Sequence, residues 1–141
     1  MRRIASIASI VLGVLLIIGG AATWIVVSST LGDQQITTSS DACLAEKPVD
    51  GPFTAYCQAK VIEHHTLEAT GGKTYAQLER DDPLRDTALT SSFLQASLFT
   101  SILAFGVAAE AFGMGVIMVL IGVGIRDVAP LKEPEMAGTT G

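Results

Sequence analysis

Residues 4–32 read IASIASIVLGVLLIIGGAATWIVVSSTLG, twenty-nine consecutive positions without a charge. A helix needs about 20 mostly apolar residues, rising ~1.5 Å each, to cross a ~30 Å hydrocarbon layer. Residues 4–27 satisfy that length. Their hydroxyls, on Ser6, Ser9 and Thr23, can bond back to their own helix at little cost. Arg2 and Arg3 precede the run, and Trp24 lies near its far end, where an interfacial aromatic belongs. A cleaved signal peptide shares the basic start and apolar run. However, Gly20-Ala21-Ala22 makes a poor cleavage site and Trp24 to Val27 continue the run beyond it, so an uncleaved anchor is expected.

A second block, residues 87–125, is thirty-nine positions long and is broken only by Glu110. Asp82-Pro83 ahead of it is a helix start, with an acceptor at the cap and proline in the first turn. A continuous helix from there would extend ~65 Å, about twice the hydrocarbon thickness. Its polar first turns should therefore stand outside the membrane, leaving Phe99 to Ile125 buried in it. Two such blocks in 141 residues explain why 49% of the chain is hydrophobic and only 16% charged, against about 25% charged in soluble domains. Most soluble enzyme folds are excluded. A net charge of −5 excludes a basic nucleic-acid binder.

The expected fold is an all-α membrane protein in five parts. These are a cytoplasmic N-terminus (1–3), transmembrane helix 1 (4–27), an extracytoplasmic lobe (28–86), a long helix containing transmembrane helix 2 (87–125) and a disordered cytoplasmic tail (126–141). Arg2 and Arg3 at one end and Arg126 and Lys132 at the other place both termini in the cytoplasm of a plasma-membrane protein. Residues 33–86, with ten acids and five bases, then lie outside. Both cysteines, Cys43 and Cys57, fall in this lobe. An even count in an exported segment favours a disulfide over a metal pair, which would need further ligands. Within the lobe, residues 32–51 read as an extended polar connection. Pro52 opens a helix whose apolar face is Phe53, Tyr56, Cys57, Val61 and Ile62, and Gly71-Gly72 ends it. Thr74 to Arg80 read as another short helix.

Several residues invite a chemical reading. Gly72-Lys73-Thr74 imitates the end of a phosphate-binding loop, but Leu67 stands where that loop needs glycine, so the segment reads as a turn and no nucleotide is expected. His64, His65 and Glu68 have metal-ligand chemistry. On a helix, though, adjacent histidines diverge by ~100°, which leaves His64 and Glu68 as an i,i+4 pair and points to no metal or other cofactor. Glu110 is an ionisable group inside an apolar helix, a position normally paired or functional. Gly106 and Gly113 flank it, and it reads as a clamp to a partner subunit, a proton relay or a near-surface carboxylate. Finally, Ser97, Ser101, Ala104, Ala108, Ala111, Gly115, Met118 and Gly122 step by four and three along the second helix. All but Met118 are small, as at close membrane-helix contacts. Ala5, Ser9 and Gly13 form a shorter analogue on the first helix.

The motifs Gly-Pro-Phe-Thr-Ala-Tyr-Cys-Gln-Ala-Lys (51–60), His-Thr-Leu-Glu-Ala-Thr-Gly-Gly-Lys-Thr-Tyr (65–75) and Asp-Asp-Pro-Leu-Arg (81–85), with Cys43 and the basic start, resemble a family of small actinobacterial two-span membrane proteins. Members often carry the label of aromatic ring-opening dioxygenases of the LigA type, which implies extradiol cleavage by a ferrous enzyme or a subunit associated with one. On this chain such a site would use His64, His65 and Glu68, and no second histidine can join His64 and a carboxylate. A looser architectural similarity is to accessory subunits of the actinobacterial respiratory supercomplex. The expectation from residues and resemblance together is a non-catalytic accessory protein in the lipid bilayer, packing against other membrane subunits. The alternative is the metal-dependent dioxygenase.

Overall fold

A computed structural model describes residues 1–127; the tail expected at 126–141 lies outside them from residue 128 onward. The described residues are helical, with no strand among them. Helix α1 spans Arg2–Asp33, α2 spans Pro52–Ala69, a single 3-10 turn covers Tyr75–Gln77, and α3 spans Arg85–Asp127. α1 and α3 are both long and apolar enough to cross a membrane by length and composition.

α1 outlasts its apolar run by six residues. Ser29 and Thr30 return their hydroxyls to the carbonyl of Val26, keeping the polar last turns helical. The chain escapes at Gln35, whose φ of 52° is left-handed. α2 begins where proline is pre-set for a first turn, with Gly51 as its extended cap. It ends at two left-handed glycines: the Gly72 N–H reaches back to the Leu67 carbonyl at 2.7 Å. Thr74 to Arg80 forms only the one 3-10 turn. α3 starts as the sequence indicates, the Asp82 carboxylate accepting from the Leu84 N–H at 2.8 Å.

α1 and α3 run antiparallel and touch at seven-residue intervals. Ser6, Gly13 and Gly20 are buried on α1, and Ala108, Gly115 and Gly122 on α3. The Ser6 hydroxyl donates to the Gly122 carbonyl at 2.6 Å and Ser9 to the Met118 carbonyl at 2.7 Å. At one end of this pair Trp24 meets Phe105 edge-on, ring centroids 4.7 Å apart.

Beyond that contact a small core joins the three α-helices and the loop: Leu31 of α1, Val49 of the loop, Ala55 and Ala59 of α2, and Leu98 of α3. The expected apolar face of α2 holds at Cys57 and Val61, which are buried, and needs correction at its start. Phe53 and Tyr56 are exposed, whereas Ala55 and Ala59 have no accessible surface. At Ala55 and Ala59 α2 approaches its neighbours closely enough that a methyl group fills the space, and the Phe53 and Tyr56 rings face outward. The Tyr56 ring still packs edge-on against Phe99 of α3, centroids 6.4 Å apart.

Candidate functional site

The small-residue stripe on α3 is the seam that receives α1. Ala108, Gly115 and Gly122 are buried there, while Ser101, Ala104, Ala111 and Met118 are half-buried. Ser97 is exposed; Leu98 takes its place against the core. The approach is backbone to backbone. A Cβ at Gly13 would lie 2.6 Å from the Gly115 carbonyl oxygen, one at Gly115 equally close to the Gly13 oxygen, and one at Gly20 2.6 Å from the Ala108 oxygen. Two helices this near gain dispersion along their whole contact and bring Cα–H groups against carbonyls. On α1 the sequence-level analogue was partly misplaced: Ser9 and Gly13 face the seam, Ala5 is exposed, and Ser6 and Gly20 were missed. Their seven-residue spacing with Gly13 was the available signal.

Glu110 faces the other way. It is exposed, as are Gly106 and Gly113, and a Cβ at either glycine would meet nothing within 4 Å. Although it stands one position from Ala111, it is two from Ala108, a rotation of ~200° that carries it to the side of α3 opposite α1. Glu110 has no ion-pair or hydrogen-bond partner among the described residues. The two faces of α3 thus separate cleanly: one is filled by α1, the other is apolar, open and interrupted by one carboxylate.

In the lobe, Cys43 and Cys57 form the expected disulfide, Cα atoms 5.4 Å apart. It is one of several links between the 34–51 loop and α2. The Ser39 N–H donates to Gln58 Oε1 at 3.3 Å, and Nε2 of His65 lies 2.7 Å from Oδ2 of Asp41. That hydrogen bond, first, then a backbone N–H and the nearby imidazoles, hold the Asp41 carboxyl below its ordinary value of 3.8. The loop itself turns on Thr38, which is buried. Its N–H donates to the Lys47 carbonyl, its Oγ1 accepts from the Lys47 N–H, and its carbonyl accepts from the Glu46 N–H. No sequence pattern advertised this threonine.

The histidines do not converge. His64 pairs with Glu68 at 3.2 Å, within α2, while His65 turns to Asp41. No group of three metal-ligating side chains forms among the described residues. Gly72-Lys73-Thr74 sits in the turn after α2, where the Lys73 carbonyl accepts from the Thr70 hydroxyl. An open groove of about 480 Å³ between α2 and α3 is lined by Ile62, His65, Thr66, Asp86, Thr90 and Leu94. At its floor the Thr66 and Ser91 hydroxyls meet at 2.6 Å, and Gln95 Nε2 donates to Ser91 at 3.0 Å.

Compared with known proteins, the chain matches no family model, no curated protein and no solved structure.

Proposed function

We propose that this chain is a non-catalytic accessory protein of the plasma membrane, crossing it twice and packing against partner membrane subunits. Both termini lie in the cytoplasm, and residues 33–86 form an acidic, disulfide-bridged lobe outside. The observation that carries the reading is the exposure of apolar surface along both long helices. Ile4 is 74% exposed, Ile18 60%, Leu103 67% and Leu120 65%, positions that a soluble helical protein would bury. Lipid, or another apolar helix, is the medium in which such a pair is stable. The orientation is supported by Arg2, Arg3 and Arg126 at one end of the pair and by the disulfide beyond the other.

An accessory role is favoured because the polar groups of the lobe are engaged in holding it together. The histidines pair separately with carboxylates, and the hydroxyls of Thr38, Thr66 and Ser91 bond to protein atoms. Respiratory complexes are the first partners to test, on the architectural similarity noted above.

Topology is tested by labelling intact cells with a membrane-impermeant maleimide after reduction and surface denaturation. Cys43 and Cys57 should react, and protection of both would invert the map. The accessory role is tested by solubilising the chain in mild detergent. It should migrate in a complex of defined composition, and migration at the mass of the free chain counts against the role.

A further inference from the structure

We propose that the open face of α3 centred on Glu110 is a second helix-packing seam, and that it receives a transmembrane helix of another protein bearing a basic side chain at the depth of Glu110. The proposal rests on the membrane reading above and names the partner's chemistry.

The used seam of α3 runs through Ala104, Ala108, Ala111, Gly115, Met118 and Gly122, in steps of four, three, four, three and four. Shifted by two residues, the same steps give Gly106, Glu110, Gly113, Ile117, Leu120 and Gly124. A two-residue shift is a rotation of ~200°, so the seams lie back to back. Members of the first are buried or half-buried under α1; every member of the second is exposed. Glycine serves the first seam by letting α1 approach to backbone contact. Gly106, Gly113 and Gly124 sit in open space on the second, where a Cβ would meet nothing within 4 Å. Glycine is a poor helix former relative to alanine, and nothing among the described residues requires it at those three sites.

Glu110 fixes the occupant. It lies sixteen residues from Arg126, ~24 Å along the helix from the cytoplasmic boundary, in the outer part of a ~30 Å hydrocarbon layer. A carboxylate there is costly unless it meets a cation or strong donor, and the glycines one turn to either side leave room for one. A second copy of this chain cannot supply it. α1 has no basic residue after Arg3, and α3 has none between Arg85 and Arg126. Two copies meeting on this face would oppose like charges. The complementary partner is therefore a different helix with an arginine or lysine at that depth.

The test uses the full chain, carrying a donor fluorophore at its N-terminus, in phosphatidylcholine vesicles. It is titrated with acceptor-labelled 24-residue Leu/Ala transmembrane peptides that differ only in having arginine or leucine at the depth of Glu110. The arginine peptide should associate roughly tenfold more tightly than the leucine peptide. Glu110→Gln should abolish most of that preference, and Gly113→Leu should weaken arginine-peptide binding by filling the notch. Neither variant touches α1, so helicity and the disulfide should be unchanged, and both are checked. Equal binding of the two peptides, or a preference that survives Glu110→Gln, overturns the proposal. So does Glu110-dependent energy transfer between differently labelled copies of the chain, which assigns the face to a second copy. Flotation with alkali-washed vesicles separates the two levels. A chain that floats yet shows no preference ends this inference alone, whereas one that fails to float ends the membrane reading as well.

Discussion

The α1–α3 pair and the lobe above it are held together by different means. At Gly13, Gly20 and Gly115 the pair sets backbone against backbone, and Ser6 and Ser9 bond straight to carbonyls of the opposite helix. The lobe relies on a covalent cross-link, a buried threonine that organises a loop, and a handful of methyl and isopropyl groups. The difference follows the solvent each is suited to. In lipid, burying leucine gains nothing over leaving it in the acyl chains, and close approach is the available source of affinity. In water, a lobe of this size buries too little apolar surface to be secure unaided, and a disulfide makes up part of the deficit.

The comparison is broken most severely at the glycine seam. Gly115→Leu should cost about 3 kcal/mol or more, because a Cβ there would meet the backbone oxygen of Gly13 and the backbone nitrogen of Ile17, neither of which can yield cheaply. Disulfide trapping between cysteines introduced at facing positions of α1 and α3 should fall, while the Cys43–Cys57 bond persists. Cys43→Ser with Cys57→Ser should show the converse. The lobe should lose about 3 kcal/mol, the chain-entropy value for a loop of about 15 residues. Residues 34–51 should then become susceptible to proteolysis with trapping between α1 and α3 unchanged. Ser6→Ala and Ser9→Ala sharpen the picture with smaller effects, about 0.6 kcal/mol each by unfolding in mixed detergent micelles. The smallest effect is electrostatic. The Asp41 carboxyl titrates below its ordinary value of 3.8 in the folded lobe, so its pairing with His65 stabilises the loop above that pH and ceases to do so as the pH falls through the lowered value. Loop protection followed down to acid pH should lose this component, and Asp41→Asn should remove the pH dependence. Both partners are exposed, so high salt should mask much of the effect.

How much of this was legible in the sequence depended on whether size or hydrophobicity decided the outcome. The ends of α3 and the start of α1 were read within two residues, while α1 runs six residues past its expected end; charge-free runs and the signals at Asp82, Pro52 and Gly71-Gly72 act locally. The cysteine pair was legible from count and position. The buried side of α2 was legible in part: Cys57 and Val61 lie on it as expected, but periodicity ranks Phe53 and Tyr56 above Ala55 and Ala59, while a close neighbour selects the opposite order. The same weighting hid Ser6 and Gly20 on α1. Glu110 was recognised as unusual, but its direction required knowing that Ala108, rather than Ala111, lies at the centre of the contact.

α3 carries one further consequence. It runs from Arg85 to Asp127 without a proline, a single rod ~65 Å long with the α2 layer fastened near one end and the α1 seam along the other. A tilt of ~10° about its Asp127 end would sweep its Arg85 end through ~11 Å. Lateral displacement of the α2 layer and reorientation of the apolar α1–α3 pair are therefore mechanically one event in this molecule.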